Sequence, residues 1–260
     1  MLGYFQSKET IYRMFSPGQV VGMGKRKHVY VDNGSPILLV AHVDTVQTPR
    51  LNQDQCTGAG FDDRLGVCLA HKLVKEYPAI FDLLLTDFEE SGGSTAAFFN
   101  PTHEYNLVVE LDREGGDYVD YGLASDELHD LLASYGFTKG RGSYTDICSM
   151  PQVECCKINV GIGTFNSHGK KSGYDKAVAD LQIARLLSFI RDHHDTRFIG
   201  AHDLDDTGYL LIDGVAYYDD WCPGLSECRT CGDYVATEQL YDRECPDCTG
   251  MFLYGKQTSK

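Results

Sequence analysis

Four short, largely apolar runs in this chain each lead into an acid or a histidine. Residues 37–41 stop at His42, residues 81–86 precede Glu89-Glu90, residues 107–111 stop at Asp112, and residues 157–163 precede His168. Consecutive apolar positions over so short a length suit a strand buried on both faces, whereas a half-solvated strand would alternate. Strands covered on both sides belong to layered sheets with helices packed against them, so the expected fold is α/β, with a mixed, mostly parallel sheet flanked by helices. Such sheets bind their ligands beyond the C-terminal ends of the strands, where all four runs deliver their polar groups.

The intervening segments fit that frame. Gly58-Ala59-Gly60 turns into helical periodicity from Asp63 to Lys75. Residues 175–191 carry Ala177, Val178, Leu181, Ile183, Ala184, Leu187 and Ile190 on a stripe wide enough to lie across the sheet. Residues 9–15 read as a short helix stopped by Ser16-Pro17-Gly18. Residues 28–32, then Asn33-Gly34, then the run at 37 read as a hairpin entering the sheet.

His42 at a strand end is followed two residues later by Asp44, a carboxylate suited to accept the second imidazole N–H and fix the tautomer a metal needs. A solvated loop histidine beside a capping aspartate would look the same in isolation. Asp62-Asp63 at a helix start can likewise be a simple cap favoured by the helix dipole. Adjacent Glu89 and Glu90 at a strand-to-helix junction can divide labour, one binding metal and the other taking a proton from water. Glu110 lies two residues before Asp112 and shares its strand face, so it stands as the fallback for that position.

The motifs Ala41-His42-Val43-Asp44, Phe61-Asp62-Asp63-Arg64-Leu65-Gly66, Glu89-Glu90-Ser91-Gly92, Leu111-Asp112 and the late His168 resemble, in this order, those of the co-catalytic zinc exopeptidase clan. That clan includes leucyl-type and tetrahedral aminopeptidases and the glutamate carboxypeptidase-like enzymes; the likeness runs over residues 30–190. It implies two co-catalytic zinc ions bridged by Asp62, with His42 and Glu90 completing one shell and Asp112 and His168 the other. Glu89 would be the general base toward a metal-bridging hydroxide, and Asp44 the orienter of His42. The loop at residues 141–146 resembles a pocket-lining segment of the clan, placing Arg141 and Asp146 as substrate contacts, with Lys170 as a second candidate clamp for a carboxylate. The implied activity is cleavage of a peptide bond, as an aminopeptidase or other exopeptidase. Two alternatives stay open: an amide hydrolase acting on N-acyl amino acids or another small amide, and a catalytically silent, metal-stabilised scaffold. Seventeen residues between Asp44 and Asp62 are too few for the domain inserted there in tetrahedral aminopeptidases.

Near the C-terminus, Cys228-Arg229-Thr230-Cys231 and Cys245-Pro246-Asp247-Cys248 form two CxxC knuckles with thirteen residues between them. This is the spacing of a zinc ribbon, whose four thiolates close the shell of one structural zinc. The expected organisation is a zinc-hydrolase domain at 1–200, an acidic linker at 201–221 and a ribbon at 222–260 that offers a protein partner a docking point. Cys56, Cys68, Cys148, Cys155 and Cys156 lack a disulfide-like pattern and read as small buried residues of a reducing compartment. With no run of signal-peptide or membrane-span length, a cytoplasmic protein is expected. A net charge of −15 argues against a nucleic-acid partner.

Overall fold

The computed structural model describes the backbone of residues 2–46, 50–52, 55–57, 61–169 and 171–199, plus four short strands beyond residue 201; side chains are described for 4–46, 63–169 and 171–199. The chain divides into two compact units, Met1–Ala201 and His202–Lys260. In the first, β1 (Val20–Val21), β2 (His28–Val31), β3 (Ile37–His42), β6 (Phe81–Thr86), β7 (Leu107–Glu114), β8 (Tyr118–Val119), β9 (Lys157–Phe165) and β10 (Gly173–Tyr174) make one eight-stranded sheet. A separate hairpin, β4 (Arg50–Asn52) with β5 (Gln55–Thr57), falls between β3 and the next helix. The helices are α1 (Lys8–Tyr12), α2 (Phe61–Glu76), α3 (Asp126–Ser134) and α4 (Lys176–His193).

The sheet order is β1-β2-β6-β3-β7-β9-β10, with β8 also on β9. The four runs noted in the sequence form its central, mutually parallel strands β6, β3, β7 and β9, and antiparallel pairs close both edges. The sheet is therefore mixed and mostly parallel at its core. Alternate residues of each run face opposite layers. Leu39, Ala41, Leu83, Val109 and Val160 pack with Val67 and Leu73 of α2 and Leu186 and Phe189 of α4. Leu38, Val40, Leu84 and Val108 pack instead with Ala96, Phe99, Ile147 and Met150, which come from one-turn 3₁₀ helices and loops.

The hairpin expected from residues 28–42 does not form. β6 inserts between β2 and β3, because Asp82 near its start accepts the N–H groups of Asn33 (2.8 Å) and Ser35 (3.2 Å) and the Asn33 amide donates to Phe81 O (2.9 Å). The Asn33-Gly34 turn is thus held by β6 and not by a hairpin partner.

Helix α2 sits unusually close to the sheet at Gly66. A Cβ there would lie 1.9 Å from the Leu111 carbonyl oxygen and 3.7 Å from the Ala41 methyl, so helix or strand would have to shift. Gly66→Ala is expected to cost about 3 kcal/mol, a value at the upper end for overpacking because the obstacle is backbone. Equilibrium urea unfolding measures it, and a change below about 0.5 kcal/mol would contradict the close approach.

In the second unit, Leu210–Ile212 pairs with Val215–Tyr217 and Leu225–Glu227 with Tyr234–Ala236, both antiparallel. The first hairpin falls inside the stretch expected to be linker. Cys228, Cys231, Cys245 and Cys248 lie outside the described residues. Among the described cysteines, Cys68, Cys148, Cys155 and Cys156 are free thiols. No helix among the described residues is long and apolar enough to cross a membrane.

Candidate active site

Because β3, β6, β7 and β9 run parallel, their C-terminal ends open on one edge of the sheet. There they surround a cavity of about 320 Å³ lined by His42, Asp63, Glu89, Glu90, Asp112 and His168, among others. His42 is buried at the end of β3. Its Nε2 lies 2.9 Å from Asp112 Oδ1 and 3.8 Å from Asp63 Oδ1, and its Nδ1 faces the Asp44 backbone oxygen at 3.2 Å and carboxylate at 3.4 Å. In the same cavity, His168 Nε2 stands 2.9 Å from Glu90 Oε1. The shortest contacts pair His42 with Asp112 and His168 with Glu90, while His42 and Glu90, grouped by the resemblance, also offer ligand atoms within 4.8 Å of each other.

Asp44 ties two of these elements together. Besides facing His42, its carboxylate accepts the N–H groups of Glu89 (3.3 Å) and Glu90 (3.1 Å), at the start of a one-turn helix. The turn enters through Phe88, a non-glycine residue held at φ 72°, the kind of strained position that persists only where surroundings enforce it. That enforcement comes from the N-terminal segment: Lys8 Nζ bonds both oxygens of Asp87 (3.0 and 2.8 Å) and lies 4.8 Å over the Phe88 ring, and Tyr12 donates to the same carboxylate. Asp44→Ala would release the imidazole and the glutamate turn together. Metal affinity, read by competition with a chromophoric chelator, is expected to fall about 10–100-fold; an unchanged affinity would show that the turn is held by Asp87 alone.

Asp112 is placed by β9, whose Asn159 amide oxygen accepts the N–H groups of Asp112 (3.2 Å) and Arg113 (3.1 Å). Glu110, the fallback for Asp112, does not line the cavity; it is fully buried beneath it, with no hydrogen-bond partner at good geometry among the described residues. Asp146 is also fully buried, bonded by the Thr86 hydroxyl, and is not among the residues that line the cavity. Arg141 is exposed and outside the cavity wall, which its neighbours Gly142, Ser143 and Tyr144 form instead. Asp62 lies in α2, but its side chain is outside the described residues, as is Lys170. The carboxylate seen beside His42 is Asp63, the second member of the Asp-Asp pair, to which the sequence motifs give no separate role.

So many acids in one place disturb their own ionisation. Burial pushes the Glu89 carboxyl up to about 8, opposed by His42 and reinforced by Asp112, Asp146 and Glu90. Burial likewise raises Asp146 to about 6 and lifts Glu110 well above the usual carboxylate range, with Asp146 and Asp112 adding to the latter. For His42, burial is the largest single influence and acts downward, but Asp112, Asp44 and Asp63 together outweigh it and hold the imidazole well above its ordinary value.

Metal fits this donor set. His42, Asp63 and Glu90 each offer a ligand atom within 4.8 Å of the others. Imidazole with carboxylates is a zinc-type shell, and the surplus negative charge calls for a cation.

No protein-family model matches the sequence. No curated protein matches it either. Similar solved structures include a glutaminyl cyclase from Tannerella forsythia (14% identity, 64% of this chain and 77% of that one, TM-score 0.46). A Zn-dependent exopeptidase from Parabacteroides distasonis is similar at 16% identity, with the same coverages and TM-score 0.46. An aminopeptidase PepT from Bacillus cereus is similar at 11% identity over 64% of this chain and 84% of that one, TM-score 0.45.

Proposed function

We propose that this protein is a zinc-dependent hydrolase of a peptide or closely related amide bond. The observation that carries the reading is the division between Glu89 and its neighbours. His42·Asp112 and Glu90·His168 form two close pairs of metal-type ligands, while Glu89, next to Glu90 on the same turn, lines the same cavity. A carboxylate beside the ligands of a bound cation is placed to take a proton from water and return it to the leaving group.

In this reading His42 and Asp112 would hold one zinc, and Glu90 and His168 the other. Asp62, by resemblance, would serve both sites, and Asp63 lies 3.8 Å from His42. When bound, the two ions supply Lewis acidity, polarising an amide carbonyl and lowering the pKa of the attacking water. Glu89 accepts that water's proton on a carboxylate oxygen and hands it to the nitrogen of the leaving amine. Asp44 keeps both the His42 ring and the Glu89-Glu90 turn in place while this happens.

Cys228, Cys231, Cys245 and Cys248 are proposed to hold a separate structural zinc in a ribbon that serves a protein partner, and the free cysteines are in keeping with a cytoplasmic setting. The test is metal content together with turnover. Zinc-loaded full-length protein should carry about three zinc per chain and hydrolyse dipeptides, aminoacyl amides or N-acyl amino acids. About one zinc and no turnover on any of these would leave the scaffold alternative standing.

A further inference from the structure

Arg113 lines the cavity from an unexpected position on its strand. As the residue after Asp112 it would point to the opposite face of a regular strand. The ladder between β7 and β9 slips twice here, between Glu110 and Arg113 and again between Arg113 and Glu114. Such irregularities re-aim side chains beside active sites, and in this case Asp112, Arg113 and Glu114 all line the same cavity.

The guanidinium is fixed in place. Its Nε donates to Asp117 Oδ1 at 2.6 Å and its Nη2 to Oδ2 at 2.9 Å, which leaves Nη1 uncommitted to Asp117. The loop carrying Gly140 and Gly142 closes tightly over this pair. A Cβ at Gly140 would fall 1.9 Å from Asp117 Oδ2 and 2.8 Å from Arg113 Nη2, and one at Gly142 would fall 2.9 Å from the Tyr121 ring.

Among the described residues, Arg113 is the sole lysine or arginine in the cavity wall, against Asp63, Glu89, Glu90, Asp112 and Glu114. Away from bound metal, an anionic group entering the cavity is repelled by the acids and meets a single guanidinium, whose charge is shared with Asp117. A preorganised guanidinium is also the side chain best matched to a carboxylate.

We propose that Arg113 is a specificity-determining residue that receives the substrate's α-carboxylate. The substrate class is then an amide whose leaving amine belongs to an amino acid with a free carboxylate: a dipeptide or an N-acyl amino acid. This rests on the hydrolase reading above, and the experiment separates the two.

Binding is measured by calorimetry on the full-length, zinc-loaded Glu89→Gln protein, using a dipeptide and an N-acyl amino acid, each beside its C-terminal amide. The acids should bind about 10–100-fold more tightly than the amides. Adding Arg113→Met should erase that preference while leaving the amides' affinity unchanged, and Arg113→Lys, which keeps the charge but not the fork, should restore part of it. Equal affinity for acid and amide, no detectable binding of either, or a preference that survives Arg113→Met would each overturn the proposal. In the active protein the same substitution should raise KM for the acids and leave kcat nearly unchanged. If Glu89→Gln binds the acids through Arg113 but the active protein never cleaves them, the hydrolase reading fails and the carboxylate site stands.

Discussion

Glu89→Gln is expected to leave the zinc content of the purified protein unchanged while lowering kcat about 10³–10⁴-fold. The substitution keeps the side chain's size and removes its ability to accept a proton. The glutamate turn itself should survive, because Asp44 holds it through the backbone N–H groups of Glu89 and Glu90 and not through either side chain. Turnover and metal analysis on the same sample decide the matter. Loss of zinc together with activity would make Glu89 a ligand, and undiminished turnover would remove it from the reaction altogether.

Stripped of metal, the protein should lose stability as pH rises from about 5 to about 8, by about 3 kcal/mol or more. The sign follows from the direction of the shifts. Glu89, Asp146 and Glu110 all have folded-state values raised above their ordinary ones, so the folded form binds more protons than the unfolded one across this window. Their contribution is fully present below the ordinary carboxylate range and disappears as pH passes about 6 for Asp146 and about 8 for Glu89. His42, also raised, acts in the same sense, since its protonated form is the one favoured by folding. Asp44 and Asp112 are lowered and lose their contribution only in more acidic solution. Zinc should abolish this slope, because metal binding expels the protons and supplies the positive charge in their place. Urea unfolding at pH 5.5 and 8, with chelator and with zinc, measures both; a metal-free protein that grows more stable over that interval would refute the assignment of the site's charges.

Much of this is legible in the sequence because the signals are local. β3, β6, β7 and β9 are contiguous apolar runs, and α2 and α4 differ from their expected bounds by two residues or fewer at each end. What the sequence hides depends on contacts distant along the chain. Residues 28–31 form a strand as expected, but Asn33-Gly34 has the look of a hairpin turn, and only the contact with Asp82 shows that it is held for β6. Helix α3, capped by Ser125, carries its apolar positions on a single stripe too short to stand out between loops. The hairpin at 210–217 does have a local signal, Asp213-Gly214 between two short apolar stretches, which the acidic composition around it masks.

The site shows the same division. Which residue types gather follows from strand ends, but how they pair does not, since His42·Asp112 and Glu90·His168 are set by side-chain directions across the cavity. Arg113 is invisible in the sequence for a related reason. Period-two alternation excludes it from the face of Asp112, and a slip in the ladder with β9 overrides that alternation. Arg141 and Asp146 belong to the right loop, but the loop presents Gly142, Ser143 and Tyr144 to the cavity, leaving the arginine in solvent and the aspartate sealed beneath Thr86.

The position of β7 in the sheet also bears on how the chain is made. Its partner β3 precedes it, but β9, which covers its other edge, is synthesised only after β8 and α3. At about 5–20 residues per second, β7 spends seconds as the open rim of a growing parallel sheet, when an apolar strand is most exposed to pairing with another nascent chain. Glu110, Asp112 and Glu114 recur at every second position along it, a row of like charges that opposes such stacking. The carboxylates gathered at this strand's end would then guard its birth as well as equip its adult chemistry.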